Sequence, residues 1–148
     1  MKEGNGISPE LESTVQISEG MGFHVVEAQC QQLRSSTQVV FFIYRPEGVT
    51  LEDCTAVYRT VMPRLEVVLD SRYVNLEISS PGISRTMKYF REFSIFQGRR
   101  VRLMEAGDND WIEGTIKAAD EETMVLTLDS GERSYRREEI TKAKISEG

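Results

Sequence analysis

V-N-L-E-I-S-S-P-G-I-S-R-T-M, residues 74–87, is the stretch on which the reading of this chain turns. It opens as a half-buried strand, with Val74, Leu76 and Ile78 alternating against Asn75, Glu77 and Ser79. The strand stops at Ser80-Pro81-Gly82. Proline sets φ near about −65° and donates no hydrogen bond, and glycine admits the positive φ that most residues avoid. A basic segment follows, comprising Arg85, Lys88, Arg91, Arg99, Arg100 and Arg102. A strand end, a rigid corner and a cationic run together predict a positioned, anion-facing surface.

Upstream of the corner the pattern is α-β-β-α-β. Leu11, Val15 and Ile17 suit a short helix over residues 9–20, closed by Gly20 and Gly22. Residues 23–31 read as a strand, and the β-branched and aromatic run at 39–44 reads as a central one, broken by Pro46-Glu47-Gly48. Thr50 is a helix N-cap, with Glu52 and Asp53 in the first turn where the helix dipole favours negative charge. Leu51, Cys54, Val57, Tyr58, Val61 and Leu65 then recur at the spacing of one buried face, and Pro63 is expected to kink or end the helix. Helices covering one face of a small sheet make this an α+β unit.

Downstream, Tyr89, Phe90, Phe93, Ile95 and Phe96 form an aromatic-rich turn closed by Gly98, read as a packing hinge rather than as rings exposed for base stacking. Four short β segments follow at 101–104, 111–117, 124–128 and 143–145, with a single 3₁₀ turn expected around 136–140. Short strands with polar turns predict a small SH3-like or Sm-like barrel, with Trp111 as one of its packing residues. The expected fold class is therefore α+β: an N-terminal α-β-β-α-β domain over residues 8–82, a connecting segment at 83–98, and a C-terminal SH3-like/Sm-like β-barrel at 99–146.

Composition narrows the function. With 39% apolar residues among 148, the chain can bury a core, and no apolar run approaches the length of a membrane span. The first ten residues lack the apolar core of a signal peptide, so a cytoplasmic protein is expected. The formal net charge of −6 argues against nonspecific coating of nucleic acid, but its distribution is uneven. Residues 1–76 carry six basic groups against ten acids, a net of −4. Residues 77–103 carry six against two, a net of +4, and residues 104–148 carry six against twelve, a net of −6. Phosphates would be met at this cationic waist.

Catalysis and metal binding find little support. Cys30 and Cys54 form no ligand pattern and read as reduced packing residues, and His24 is the one histidine. Ser79, Ser80 and Ser84 could be cast as nucleophiles with Arg85 as a phosphate binder, but no sequence neighbour supplies a base and no G-x-S-x-G elbow is present. Neither a Walker loop nor a zinc-ligand set occurs, and the N-terminal half lacks the G-x-x-G clamp of a KH fold.

The residues around the corner resemble the signature of the RimP-type ribosome maturation factors, in which a strand runs into S-S-P-G, an apolar residue and D-R-P-L. Here the run is Ser79-Ser80-Pro81-Gly82-Ile83-Ser84-Arg85-Thr86-Met87. Upstream, G-V-T-L-E-D-C at 48–54 is similar to the family's G-V-T-L-D-D-C, and Phe93, Phe96, Gly98 and Val101 fall on its F-x-x-F-x-G-x-x-V. The likeness covers about residues 10–146. Ser84 stands where the family has aspartate, and Thr86 where it has proline.

The resemblance implies a non-catalytic, cofactor-free and metal-free monomer that assists maturation of the small (30S) ribosomal subunit. Its partners would be the immature small subunit, its rRNA and a basic ribosomal protein near the decoding centre. On the charge map, Arg85, Lys88, Arg91, Arg99, Arg100 and Arg102 are the expected rRNA contacts. Asp108, Asp110, Glu113, Asp120, Glu121 and Glu122 are the expected contacts to the basic ribosomal protein. The alternative reading is a stand-alone RNA-binding or protein-adaptor module of Sm-like type.

Overall fold

The β-branched and aromatic run at 39–44 lies in the middle of a three-stranded sheet, with one antiparallel and one parallel neighbour. The computed structural model describes residues 1–71, 73–81 and 85–146, which fall into two units: residues 6–81, and the remainder from 82 onward together with residues 1–5. Gly82 and Ser84, the corner glycine and the residue replacing the family aspartate, lie outside the described residues.

In the first unit a 3₁₀ turn (Pro9–Leu11) leads into α1 (Glu12–Gly20), β1 (His24–Gln32), β2 (Thr37–Tyr44), α2 (Leu51–Val68) and β3 (Val74–Ser79). Strand order is β1-β2-β3. A hairpin-like return makes β1 and β2 antiparallel, whereas the parallel pairing of β2 with β3 needs the crossover that α2 supplies. Leu11 and Val15 before the sheet, Val39, Phe41 and Ile43 within it, and Val57, Val61 and Leu65 on α2 close one core.

The predicted cap of α2 is present in full. Thr50 Oγ1 accepts from Asp53 N at 3.1 Å, and Asp53 Oδ2 accepts from Thr50 N at 2.8 Å. Arg45 Nη2 reaches the same carboxylate at 2.8 Å. One expectation for this helix is corrected. Leu51 and Tyr58 are exposed (83% and 40%) because, at about 100° per residue, they fall on the flank of the stripe centred on Val57, Val61 and Leu65. Nor does Pro63 end the helix, which continues to Val68; Val61 and Leu65 are fully buried on either side of it, so tertiary packing overrides the local penalty.

The second unit comprises β4 (Thr86–Met87), α3 (Glu92–Ile95), β5 (Arg100–Glu105), β6 (Trp111–Ala119), β7 (Thr123–Leu128), β8 (Gly131–Arg136), a 3₁₀ turn (Arg137–Glu139) and β9 (Ile140–Ile145). The strands form one antiparallel sheet in the order β4-β9-β5-β6-β7-β8. The expected barrel is not closed: among the described residues β4 and β8 are edges that pair with one neighbour each. β8 lies outside the four β segments read from the sequence. Its sequence, Gly-Glu-Arg-Ser-Tyr-Arg, buries only Tyr135 and so carries no alternation to read.

Phe90, Phe93 and Phe96 are buried within this unit, with Phe90 and Phe93 edge to face at 5.4 Å, so these rings are not presented to bases. Gly114 lies on β6 where a Cβ would come within 2.7 Å of the Thr127 carbonyl oxygen. Residues 1–5 also belong to this unit. Lys2 N donates to Lys88 O at 3.1 Å, Phe90 N donates to Lys2 O at 3.3 Å, and the Met1 ammonium donates to Ile140 O at 2.7 Å. No described helix is long and apolar enough to cross a membrane.

Candidate nucleic-acid interface

Strand alternation and register decide which charges of the second unit share a face. On β5, Val101 and Leu103 are buried, so Arg100, Arg102 and Met104 point outward. Arg102 pairs in register with Lys144 on β9 and with Glu113 on β6. Met104 pairs with Lys142 on one side and Trp111 on the other. Arg100, Arg102, Lys142, Lys144 and Trp111 are thereby collected on one outward face around a single carboxylate, Glu113.

That carboxylate is engaged. It accepts from Ser146 Oγ at 2.6 Å and lies 3.4 Å from Arg100 Nε. The Ser146 hydroxyl, and after it the Arg100 and Arg102 cations, hold Glu113 below the usual carboxylate range. Trp111 is not the packing residue the sequence suggested. It is 38% exposed, with the Arg102 guanidinium carbon 5.4 Å and Lys144 Nζ 5.3 Å from its ring.

The remaining waist residues are dispersed. Arg85, expected to meet phosphate, instead closes a buried pair: its side chain is 8% exposed and Glu92 is fully buried, with Nε to Oε1 at 2.8 Å and Nη2 to Oε2 at 3.2 Å. Glu92 also accepts from Lys88 N at 2.9 Å and Tyr89 N at 3.1 Å, so one carboxylate fastens residues 85–92 into their turn. Lys88 is exposed and Arg99 is half-buried. Arg91 lines a groove of mixed charge with Lys2, Glu3, Asp120, Glu121 and Arg137.

The acidic set is divided as well. Asp108 and Asp110 precede β6, and Asp120, Glu121 and Glu122 follow it. Nine residues at about 3.3 Å each place the two groups roughly 30 Å apart along the strand. Asp108 Oδ1 is taken up by the amides of Asn109 and Asp110. Asp120 Oδ1 accepts from Glu122 N and Thr123 N, both at 2.8 Å; the Thr123 amide first, then that of Glu122, holds its carboxyl low. Glu113 belongs to the cationic face. Sequence reading missed Lys142 and Lys144, which reach that face only through register with residues some forty positions earlier.

No cluster of His, Cys, Asp and Glu among the described residues could hold a metal ion. Cys30 and Cys54 are free, half-buried thiols whose burial raises their pKa. What the geometry defines is a two-unit α+β protein with a cationic, tryptophan-bearing sheet face. A sequence model of the RimP N-terminal domain matches residues 14–84. The ribosome maturation factor RimP of Borrelia turicatae (strain 91E135) is 31% identical over 130 residues, covering 88% of this chain and 89% of the relative. That of Borrelia hermsii (strain HS1 / DAH) is 30% identical over the same shares. The chain belongs to the RimP family of ribosome maturation factors.

Proposed function

We propose that this chain is a non-catalytic assembly factor of the small (30S) ribosomal subunit, and that its second sheet, used in the manner of an SH3-like or Sm-like module, meets rRNA. The observation that carries this reading is the outward face of β5, β6 and β9, where four cations surround one satisfied carboxylate. Phosphate contact falls to Arg100 and Arg102, joined by Lys142 and Lys144, with exposed Lys88 and half-buried Arg99 and Arg91 as secondary contacts. Arg85 supports the turn through Glu92 and is not part of the contact.

A basic ribosomal protein near the decoding centre is the second partner in this reading. Its recruitment rests on Asp108 and Asp110 at one end of β6 and Asp120, Glu121 and Glu122 at the other. Glu113 is left out because Ser146 and Arg100 already occupy it. The boundaries of 8–82, 83–98 and 99–146 serve as the functional division.

Co-sedimentation through sucrose gradients tests the proposal. The protein is expected with immature or free small subunits in preference to mature ones and to seventy-S particles. Added salt, or R100E with R102E, is expected to release it. Failure to travel with any ribosomal particle at low salt refutes the reading. Retention by the acid-to-lysine variants of both β6 ends of full binding to the isolated basic protein refutes the second half alone.

A further inference from the structure

The indole of Trp111 is an expense that the fold does not require. Its strand position faces outward, opposite Met104, where a threonine or valine would complete the sheet, yet a tryptophan stands there 38% exposed. Two cations from two other strands, Arg102 on β5 and Lys144 on β9, approach its ring at 5.4 and 5.3 Å. Such contacts hold the ring in one orientation before any ligand arrives, which lowers the ordering cost of binding. Both cations stand over the ring itself, so a base stacks on the ring surface they leave exposed, with their charge within reach of its flanking phosphates. Flat aromatic surface bordered by cations is the arrangement by which sheets bind unpaired nucleotides.

We propose that Trp111 is a stacking platform for one unpaired base of single-stranded RNA, with Arg102 and Lys144 neutralising the phosphates on either side of that base. This deepens the rRNA-contact reading and rests on it. The face selects single strands over duplex, because a base inside a helix has no free ring surface to offer the indole. Arg100 and Lys142 continue the cationic track along the same face and extend contact to neighbouring phosphates.

Trp111 is the one tryptophan in the chain, so its fluorescence reports the site directly. The test is titration of the full chain with an oligoadenylate octamer and with a duplex of matched length, at low and moderate salt. Stacking is expected to quench the emission with the single strand and not with the duplex. W111A is expected to weaken single-strand binding about 5- to 100-fold with its salt slope unchanged, and W111F to keep most of the affinity. R102A and K144A are expected to lower the salt slope by about 0.7 each while the quench persists at saturation. Circular dichroism of each variant confirms that the sheet is intact.

If W111A binds the octamer as tightly as the natural chain while R102A and K144A still weaken it, the stacking platform is overturned and the rRNA reading survives. If no RNA binds at low salt and an oligoglutamate peptide does, both fall, and the face is a receptor for acidic protein.

Discussion

Removing the Glu92 carboxylate should be among the most damaging single changes available to the second unit. Glu92 is fully buried and accepts four hydrogen bonds, two from the Arg85 guanidinium and one each from the amides of Lys88 and Tyr89. E92A strips a guanidinium that is only 8% exposed of its carboxylate and takes away the acceptor that both amides use. Breaking a buried pair by deleting one partner costs about 3–5 kcal/mol. The lost amide bonds are part of the same event and are not added to it. Against a typical total of about 5–15 kcal/mol, that loss is between about a fifth and all of a domain's stability.

Urea denaturation followed by Trp111 fluorescence measures the loss within the unit that contains Glu92. A double-mutant cycle isolates the pair. R85M and E92M should each be severely destabilising alone, and the double variant should recover much of the loss, because a buried ion pair replaced by apolar side chains of similar size is often neutral. An E92A loss below about 1 kcal/mol, or no coupling between the two positions, refutes the assignment of Glu92 as the fastener of this turn.

Packing, capping and titration give further expectations. G114A should lower stability by about 1–3 kcal/mol, since its Cβ would meet Thr127 O at 2.7 Å, Leu126 Cγ at 2.8 Å and Leu128 Cδ2 at 2.9 Å; an unchanged melting temperature would show that β6 and β7 part freely. T50A should cost about 1 kcal/mol through loss of the α2 cap, read as a lowered urea midpoint in far-ultraviolet dichroism. Asp53 is held low chiefly by the Thr50 amide, Asp120 by the Thr123 amide and Glu113 by the Ser146 hydroxyl. A carboxyl depressed in the folded state binds fewer protons there than when unfolded. Its stabilisation is therefore full above the ordinary carboxylate range near about 4 and is lost as pH falls through the depressed values. D53N with D120N should flatten the acid limb of stability against pH, and superimposable limbs would count against these assignments. Burial raises the thiol pKa of Cys30 and Cys54, so iodoacetamide should label them slowly at pH 8 in the native chain and quickly in urea.

The elements most legible in the sequence were those whose signals are local. Thr50 and Asp53 announce the start of α2 three residues apart, and Val39 to Tyr44 carry enough β-branched and aromatic residues to mark a central strand. Phe90, Phe93 and Phe96 likewise announced themselves as packing residues rather than exposed rings. What escaped depends on partners distant in sequence. Strand β8 exposes five of its six residues and, among the described residues, has β7 as its one strand neighbour. Trp111 reads as core by composition, and only its register opposite Met104 turns it outward. The cationic waist looked like one surface because its members are contiguous. Folding sends Arg85 inward to Glu92, Arg91 to a mixed groove, and Arg100 and Arg102 to a face completed by Lys142 and Lys144.

The placement of residues 1–5 has a consequence for the order in which the chain assembles. Met1 hydrogen-bonds to the carbonyl of Arg137, 136 positions away, and Lys2 bridges to Tyr89, with all of residues 6–81 intervening. During synthesis, residues 6–81 leave the ribosome as an uninterrupted segment with every partner of their own sheet at hand. The second unit must wait until residue 140 has emerged before residues 1–5 can be seated. Residues 1–5 are thus fixed later than the segment that follows them, and a nascent chain halted between the two events carries one finished unit with residues 1–5 not yet seated.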